Sequence, residues 1–174
     1  MAKRLKTAHL LLVSKGTAEK LNSFRLGARL TQTSGLTIEQ LIEQATRDRF
    51  KFAQELLRAA KNAAIAPQPQ NRLALGKAYY AMYHACRAVV YLIEGGDDHE
   101  AHSEVPKHLP RDFPDRNVWE NEIKTARYER NRADYDPYPK SDKAFAAITV
   151  STIRKADNFV TAARGYLARK GCRL

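Results

Sequence analysis

Cysteine is scarce: the 174 residues contain only Cys86 and Cys172, far apart and without a CxxC pair. This excludes a disulfide framework and a cysteine-based zinc site, and a reducing cytoplasm is the expected compartment. Long apolar runs are missing too. No stretch approaches the ~20 residues of a membrane span, and the apolar core of the N-terminus, Leu10 to Val13, falls short of the ~7–15 residues of a secretory signal. The chain is therefore expected to be neither secreted nor embedded in a membrane. Strand-type alternation and internal repeats are almost absent, which argues against sheet and solenoid architectures. Acidic residues are sparse at the front of the chain. The first 34 residues carry Lys3, Arg4, Lys6, Lys15, Lys20, Arg25 and Arg29 against Glu19 alone, a net +6 within a total of +11. Such a charge favours a polyanionic partner, RNA or DNA, and says nothing about fold.

What the sequence does contain is helical periodicity. Residues 1–34 read as a basic arm, helical in part, that ends in Thr31, Gln32, Thr33, Ser34 and Gly35. Thr37 with Gln40 has the form of a capping box, and Ile38, Leu41, Ile42, Ala45, Phe52, Ala53, Leu56 and Leu57 recur at helical spacing to about Ala64, before Pro67 and Pro69. A second helix runs from near Arg72 to Gly95 and Gly96, which offer a left-handed exit. Residues 97–114 read as a long loop with one short helix. A third helix covers about Arg116 to Tyr135 and yields at Pro137, and a fourth covers about Ser141 to Arg169. The expectation is an all-α fold, an up-and-down four-helix bundle over residues 37–170 with the basic N-terminal helical arm added.

Three groups of side chains are candidates for chemistry. Lys77, Tyr80, His84, Arg87 and Tyr91 follow steps of three and four and share one helix face. Rings and cations on one face suit stacked bases and phosphates, and equally suit a subunit interface or aromatic packing with wet tips. His99, His102 and His108 share the loop with Asp97, Asp98, Glu100 and Glu104. A loop gives these spacings no defined face, so neither a metal nor another cofactor is expected. On the third helix, Arg127, Arg130 and Asp134 fall on one face, where an exposed Arg130–Asp134 pair is worth only ~0.2–0.5 kcal/mol. Cations also suit the last turn of a helix, so by spacing alone RNRADYDPYP (130–139) is a charged helix end.

Taken together, AYYAMYHACRAVVYL (78–92), His102 with Val105 after a polar loop, and RNRADYD (130–136) resemble the HEPN superfamily, above all its small stand-alone bacterial and archaeal members often encoded beside minimal nucleotidyltransferases. The likeness covers about residues 37–170 and leaves out the basic arm. It implies a four-helix bundle that dimerises with the Arg motifs of two subunits facing one cleft, and a metal-independent endoribonuclease of the toxin or defence type. The family pattern of an Arg, a polar residue, four to six further residues and a His is met by Arg130 and Asn131. The histidine is absent, because Tyr135, Asp136 and Pro137 occupy its place. Arg130, Ala133, Asp134 and Tyr135 do reproduce the R-x-x-A-D-Y form of related members. The expected catalytic set is Arg130 and Asn131, with Asp134, Tyr135 or Asp136 in place of the histidine, and RNA contacts from Arg127, Arg132, Lys77, Tyr80, His84 and Arg87. Tyrosine titrates near pH ~10 and aspartate near ~4, against ~6.5 for histidine, so this substitution implies a slow nuclease, a retuned one, or none. The alternative is a catalytically inactive module that binds nucleic acid or nucleotide, or that partners a nucleotidyltransferase. Such an enzyme could place AMP on Tyr135 or Tyr138, setting a phosphate beside Arg130.

Overall fold

The computed structural model describes residues 7–174. Lys3, Arg4 and Lys6 of the basic arm lie outside the described residues. Every regular element among the described residues is helical: α1 (Thr7–Ser14), α2 (Ala18–Ser34), α3 (Ile38–Ile65), α4 (Asn71–Glu94), α5 (Arg116–Tyr135) and α6 (Ala146–Arg169), with the 3-10 turns η1 (Val105–His108) and η2 (Asp142–Phe145). They divide into two compact units, Met1–Leu41 and Ile42–Leu174.

In the first unit the arm is more regular than its composition suggests. Thr17 caps α2 by accepting from the Lys20 N–H (3.2 Å), and Gly35 closes that helix at φ +70°, where a residue without Cβ is favoured. The capping box of α3 forms in both directions. Thr37 N–H donates to Gln40 Oε1 at 2.9 Å, and Gln40 N–H donates to Thr37 Oγ1 at 3.2 Å.

In the second unit α4 runs through the core. Ala74, Ala78, Tyr79, Ala81, Met82, Ala85, Cys86, Ala88 and Val89 are all fully buried, and α4 packs against α5, α6, η1 and η2. Its alanines let the neighbouring helices approach closely. Phe50, Ala53, Leu56, Leu57 and Ala60 of α3 join the same core, together with Ile123 and Ala126 of α5 and Phe159, Val160, Ala163 and Leu167 of α6. These positions follow the 3.6-residue period of each helix. α4 ends at Gly95, whose φ of +72° sends its N–H back to the Tyr91 carbonyl at 3.0 Å.

The start of the last helix differs from the periodic reading. Instead of one helix from Ser141, the chain makes η2 and then α6, because Asp142 is used elsewhere. Its carboxylate accepts from the backbone N–H groups of Asn71 (2.6 Å) and Arg72 (2.9 Å) and from Asn71 Nδ2 (2.9 Å), capping α4 from a distant part of the chain. Burial is the largest single influence and raises the Asp142 pKa, but these donors and the Arg72 charge together outweigh it and hold the carboxyl below its ordinary value. Arg72 reciprocates at the end of α5. Its guanidinium donates to the carbonyls of Ala133 (2.5 Å), Asp136 (3.0 Å) and Pro139 (2.6 Å), and lies 4.3 Å from the Phe145 ring. Backbone groups that helix ends leave unpaired are thus satisfied by side chains from another element.

Replacing Asp142 by Ala removes this cap, and the expected loss is about 1–2 kcal/mol. It reads out as a lower urea midpoint at unchanged slope; an unchanged midpoint would show that the cap contributes nothing.

Candidate functional site

The polar atoms of α4 leave the core on the side of the 97–109 loop and α5. Tyr79 has its ring fully buried, and its hydroxyl meets His102 Nδ1 at 2.5 Å. Burial drives the Tyr79 pKa well above that of a free phenol, so the hydroxyl keeps its proton. Tyr83 donates to the Glu100 carbonyl at 2.5 Å, and its ring stacks on His102 with centroids 4.1 Å apart and planes inclined by 10°. Tyr80 presents an edge to the same imidazole at 5.8 Å. His102 is therefore fixed by three tyrosines of one helix.

The loop that carries it is anchored at its start. Asp97 accepts from Arg87 Nε (2.7 Å) and Arg49 Nη2 (2.7 Å), and a second Arg87 nitrogen completes a two-pronged contact. Arg87 and Arg49 hold the Asp97 carboxyl below its normal pKa, with the Arg87 hydrogen bonds the largest cause. Arg87 is committed to this anchor, and so does not present a free guanidinium for RNA.

Arg130 sits on α5 with its side chain only 17% exposed. Nη2 donates to the Tyr80 hydroxyl (2.6 Å) and Nη1 to Asn131 Oδ1 (3.0 Å). Nε lies 2.7 Å from Asp134 Oδ2 but is not aligned for a hydrogen bond, so this is an ion pair by distance alone. The guanidinium also faces the Tyr80 and Tyr135 rings at 5.1 and 5.5 Å. Such contacts hold the cation in one orientation.

Burial first, then the charges of Arg127, Arg130 and Arg87, depress the His102 pKa below its usual value. The imidazole is neutral at pH 7 and able to take a proton. Tyr79 suits either state, since a hydroxyl can donate to a bare Nδ1 or accept from Nδ1–H. His102 lines a cleft of 280 Å³ together with Ser103, Lys107, Glu120, Lys124 and Arg127. Three cations against one acid favour an anion there, although Lys107 already pairs with Glu104 at 2.9 Å.

The structure thus brings Tyr80, Arg127, Arg130, Asn131 and Asp134 into one neighbourhood. Tyr135 and Tyr138 are 71% and 68% exposed, and Asp136 is exposed with its carbonyl held by Arg72. Arg132 turns away from Arg130 along the helix and pairs with Glu129 at 2.8 Å. Lys77 is half-buried one turn before Tyr80. His84 packs between Phe52 and Tyr83, with ring centroids 4.8 and 5.0 Å away, and belongs to the packing rather than to the cleft. Spacing along the chain did not place His102 beside Arg130. Its sequence signals were its place among the motifs of the resemblance and the tyrosines at 79, 80 and 83, whose hydroxyls need partners once their rings are buried.

No protein-family model, curated protein or solved structure matches the chain. No helix among the described residues is long and apolar enough to cross a membrane.

Burial, followed by the charges of Arg87 and Arg49, lowers the His84 pKa to about 4, and His102 is lowered as well. Both folded values lie below 6.5, so in that window the unfolded chain binds more protons than the folded one. Stability is expected to be full above about pH 6.5 and to fall as pH drops towards 4. Thermal unfolding midpoints across this range check it, and His84→Gln should flatten the slope.

Proposed function

We propose that this chain is a HEPN-type, RNA-acting protein that cuts RNA through its own 2′-hydroxyl with no metal in the chemical step. In this reading residues 37–170 form an up-and-down four-helix bundle and two copies pair so that their Arg130 motifs share a cleft. The observation that carries it is the neutral His102 held by Tyr79 and Tyr83 beside Arg127 and Arg130. The expected motif histidine is missing after Arg130, and His102 supplies the same chemistry from the 97–109 loop.

The roles follow from the groups. His102 takes the 2′-hydroxyl proton at Nε2 while its Nδ1–H donates to the Tyr79 hydroxyl. O2′ bonds to phosphorus, the P–O5′ bond breaks, and the leaving 5′-oxygen takes a proton from water as the imidazolium later returns its own to solvent. Arg130, with Arg127, balances the charge that builds on the phosphorane; preorganised donors in a partly dry cleft are the usual source of such stabilisation. Asn131 and Asp134 hold Arg130 in place. Lys124 and the basic arm add backbone contacts that carry no sequence preference.

A second reading is a binding module without catalysis, acting on nucleic acid or nucleotide. It is favoured by the Arg130 guanidinium, which already has partners on three sides. In either reading a minimal nucleotidyltransferase is a candidate partner. The exposure of Tyr135 and Tyr138 leaves both hydroxyls open to receive AMP.

The test is incubation of total cellular RNA with the protein in EDTA. Wild type should give cuts with 2′,3′-cyclic phosphate ends, and Arg130→Ala and His102→Ala should each lose about 10²–10⁴ in rate. Cleavage undiminished in His102→Ala would remove it as the base. No cleavage by wild type, with RNA binding that weakens steeply in salt, would favour the binding module.

A further inference from the structure

The 97–109 loop returns three potential metal ligands to one point. Glu94 is the last residue of α4, His99 lies in the loop beyond the Gly95–Gly96 exit, and His108 is the last residue of η1. His99 Nε2 lies 3.2 Å from Glu94 Oε2, and His108 Nδ1 lies 3.2 Å from Glu94 Oε1. The two imidazoles stack face to face, with centroids 3.3 Å apart and planes inclined by 13°. One ligand atom from each residue falls within 4.8 Å of the other two.

We propose that Glu94, His99 and His108 form a binding site for a first-row transition dication, with Zn²⁺ the fitting ion. Zinc takes imidazole nitrogen and carboxylate oxygen at about 2.0–2.2 Å, so two ligands on a tetrahedral ion stand roughly 3.4 Å apart. The carboxylate-to-nitrogen spacings of 3.2 Å, one to each Glu94 oxygen, are close to that edge, and one imidazole turns out of the stack when the ion binds so that both nitrogen lone pairs meet it. Two nitrogens and one oxygen suit zinc or its neighbours in the series, and do not suit calcium or magnesium, which prefer all-oxygen shells. Each of the three side chains is about a third exposed, which leaves room for water as the fourth ligand.

Without an ion, His108 hydrogen-bonds the Glu94 carboxylate and His99 lies 3.2 Å from its other oxygen, with the two imidazoles stacked on each other. The two states differ in what they do for the chain. A metal would join the end of α4, the loop and η1 at one atom, fixing the segment that carries His102. The proposal does not depend on RNA cleavage, because the ion takes no part in that chemistry.

The experiment uses the untagged full chain, stripped with chelator, and titrates in Co²⁺ and then Zn²⁺. A His₂Glu site gives Co²⁺ visible d–d bands that Zn²⁺ abolishes. Zinc at a hundredfold excess over its Kd should raise the unfolding midpoint by about 5–10 °C. The double variant His99→Ala/His108→Ala should lose both effects, and Glu94→Gln should weaken binding by at least about 10–100-fold. Circular dichroism of each variant confirms that the helices remain. Absence of the bands and of the stabilisation in wild type overturns the site; binding that survives in the folded double variant places the ion elsewhere and overturns it equally.

Discussion

A helix that is buried on almost every side has to find partners for every polar atom it carries. α4 is such a helix, with alanine at five fully buried positions and large apolar or aromatic side chains at most of the others. An unpaired buried hydroxyl or guanidinium costs about 1–3 kcal/mol or more, so the tyrosine and arginine tips of α4 must be met by whatever packs against it. Tyr79 finds His102, Tyr80 finds Arg130, Tyr83 finds the Glu100 carbonyl and Arg87 finds Asp97. The course of the 97–109 loop and the placement of α5 both follow from these four demands. Of these partners His102 also lines the 280 Å³ cleft, so the packing of α4 sets the position of one of the cleft's walls.

Burial and charge then act together on the histidine. Removing an imidazole from water disfavours its charged form, and nearby guanidinium groups disfavour it further. Both effects point the same way at His102. An approaching phosphate would oppose them, since a negative charge in the cleft offsets the arginines and favours the protonated ring. Under the proposed chemistry the histidine is thus held neutral before the substrate arrives and becomes more basic as the anion settles. No single residue provides that behaviour; it arises from the tyrosine cage and the arginines of α5.

The helices were legible in the sequence because their signals are local. The Thr37–Gln40 capping box, the Gly95 exit and the stop before Pro137 each depend on a few neighbouring residues, and each sits where the periodicity placed it. Contacts between distant segments were not legible. Asp142 caps a helix that begins 71 residues earlier, and so the start of α6 was misplaced by a turn. The tyrosine and histidine of the site are 23 residues apart and meet only because the loop folds back over α4. His99 and His108 were set aside for the same reason, and Glu94, at the end of α4, was not read with them: residue spacing in a loop defines no common face until the loop has a shape. Charge composition could not separate Arg87, spent on anchoring the loop, from Arg127, which lines the cleft.

The state of Arg130 bears on whether a satisfied arginine can still do chemistry. A guanidinium carries five N–H donors in a fixed plane. At Arg130 one N–H of Nη2 goes to Tyr80 and one of Nη1 to Asn131, while Nε lies against Asp134 without donating to it, so each terminal nitrogen keeps one further N–H. A phosphate needs two parallel donors for its tightest contact, usually from a single arginine fork. Under the proposed chemistry the further N–H groups of the two terminal nitrogens are those left for a phosphate. In that chemistry the contacts that look like competition act as alignment: they remove the rotational freedom of a long side chain beforehand. An arginine held only by solvent would lose that freedom at the moment of binding, at a cost of up to about 2 kcal/mol.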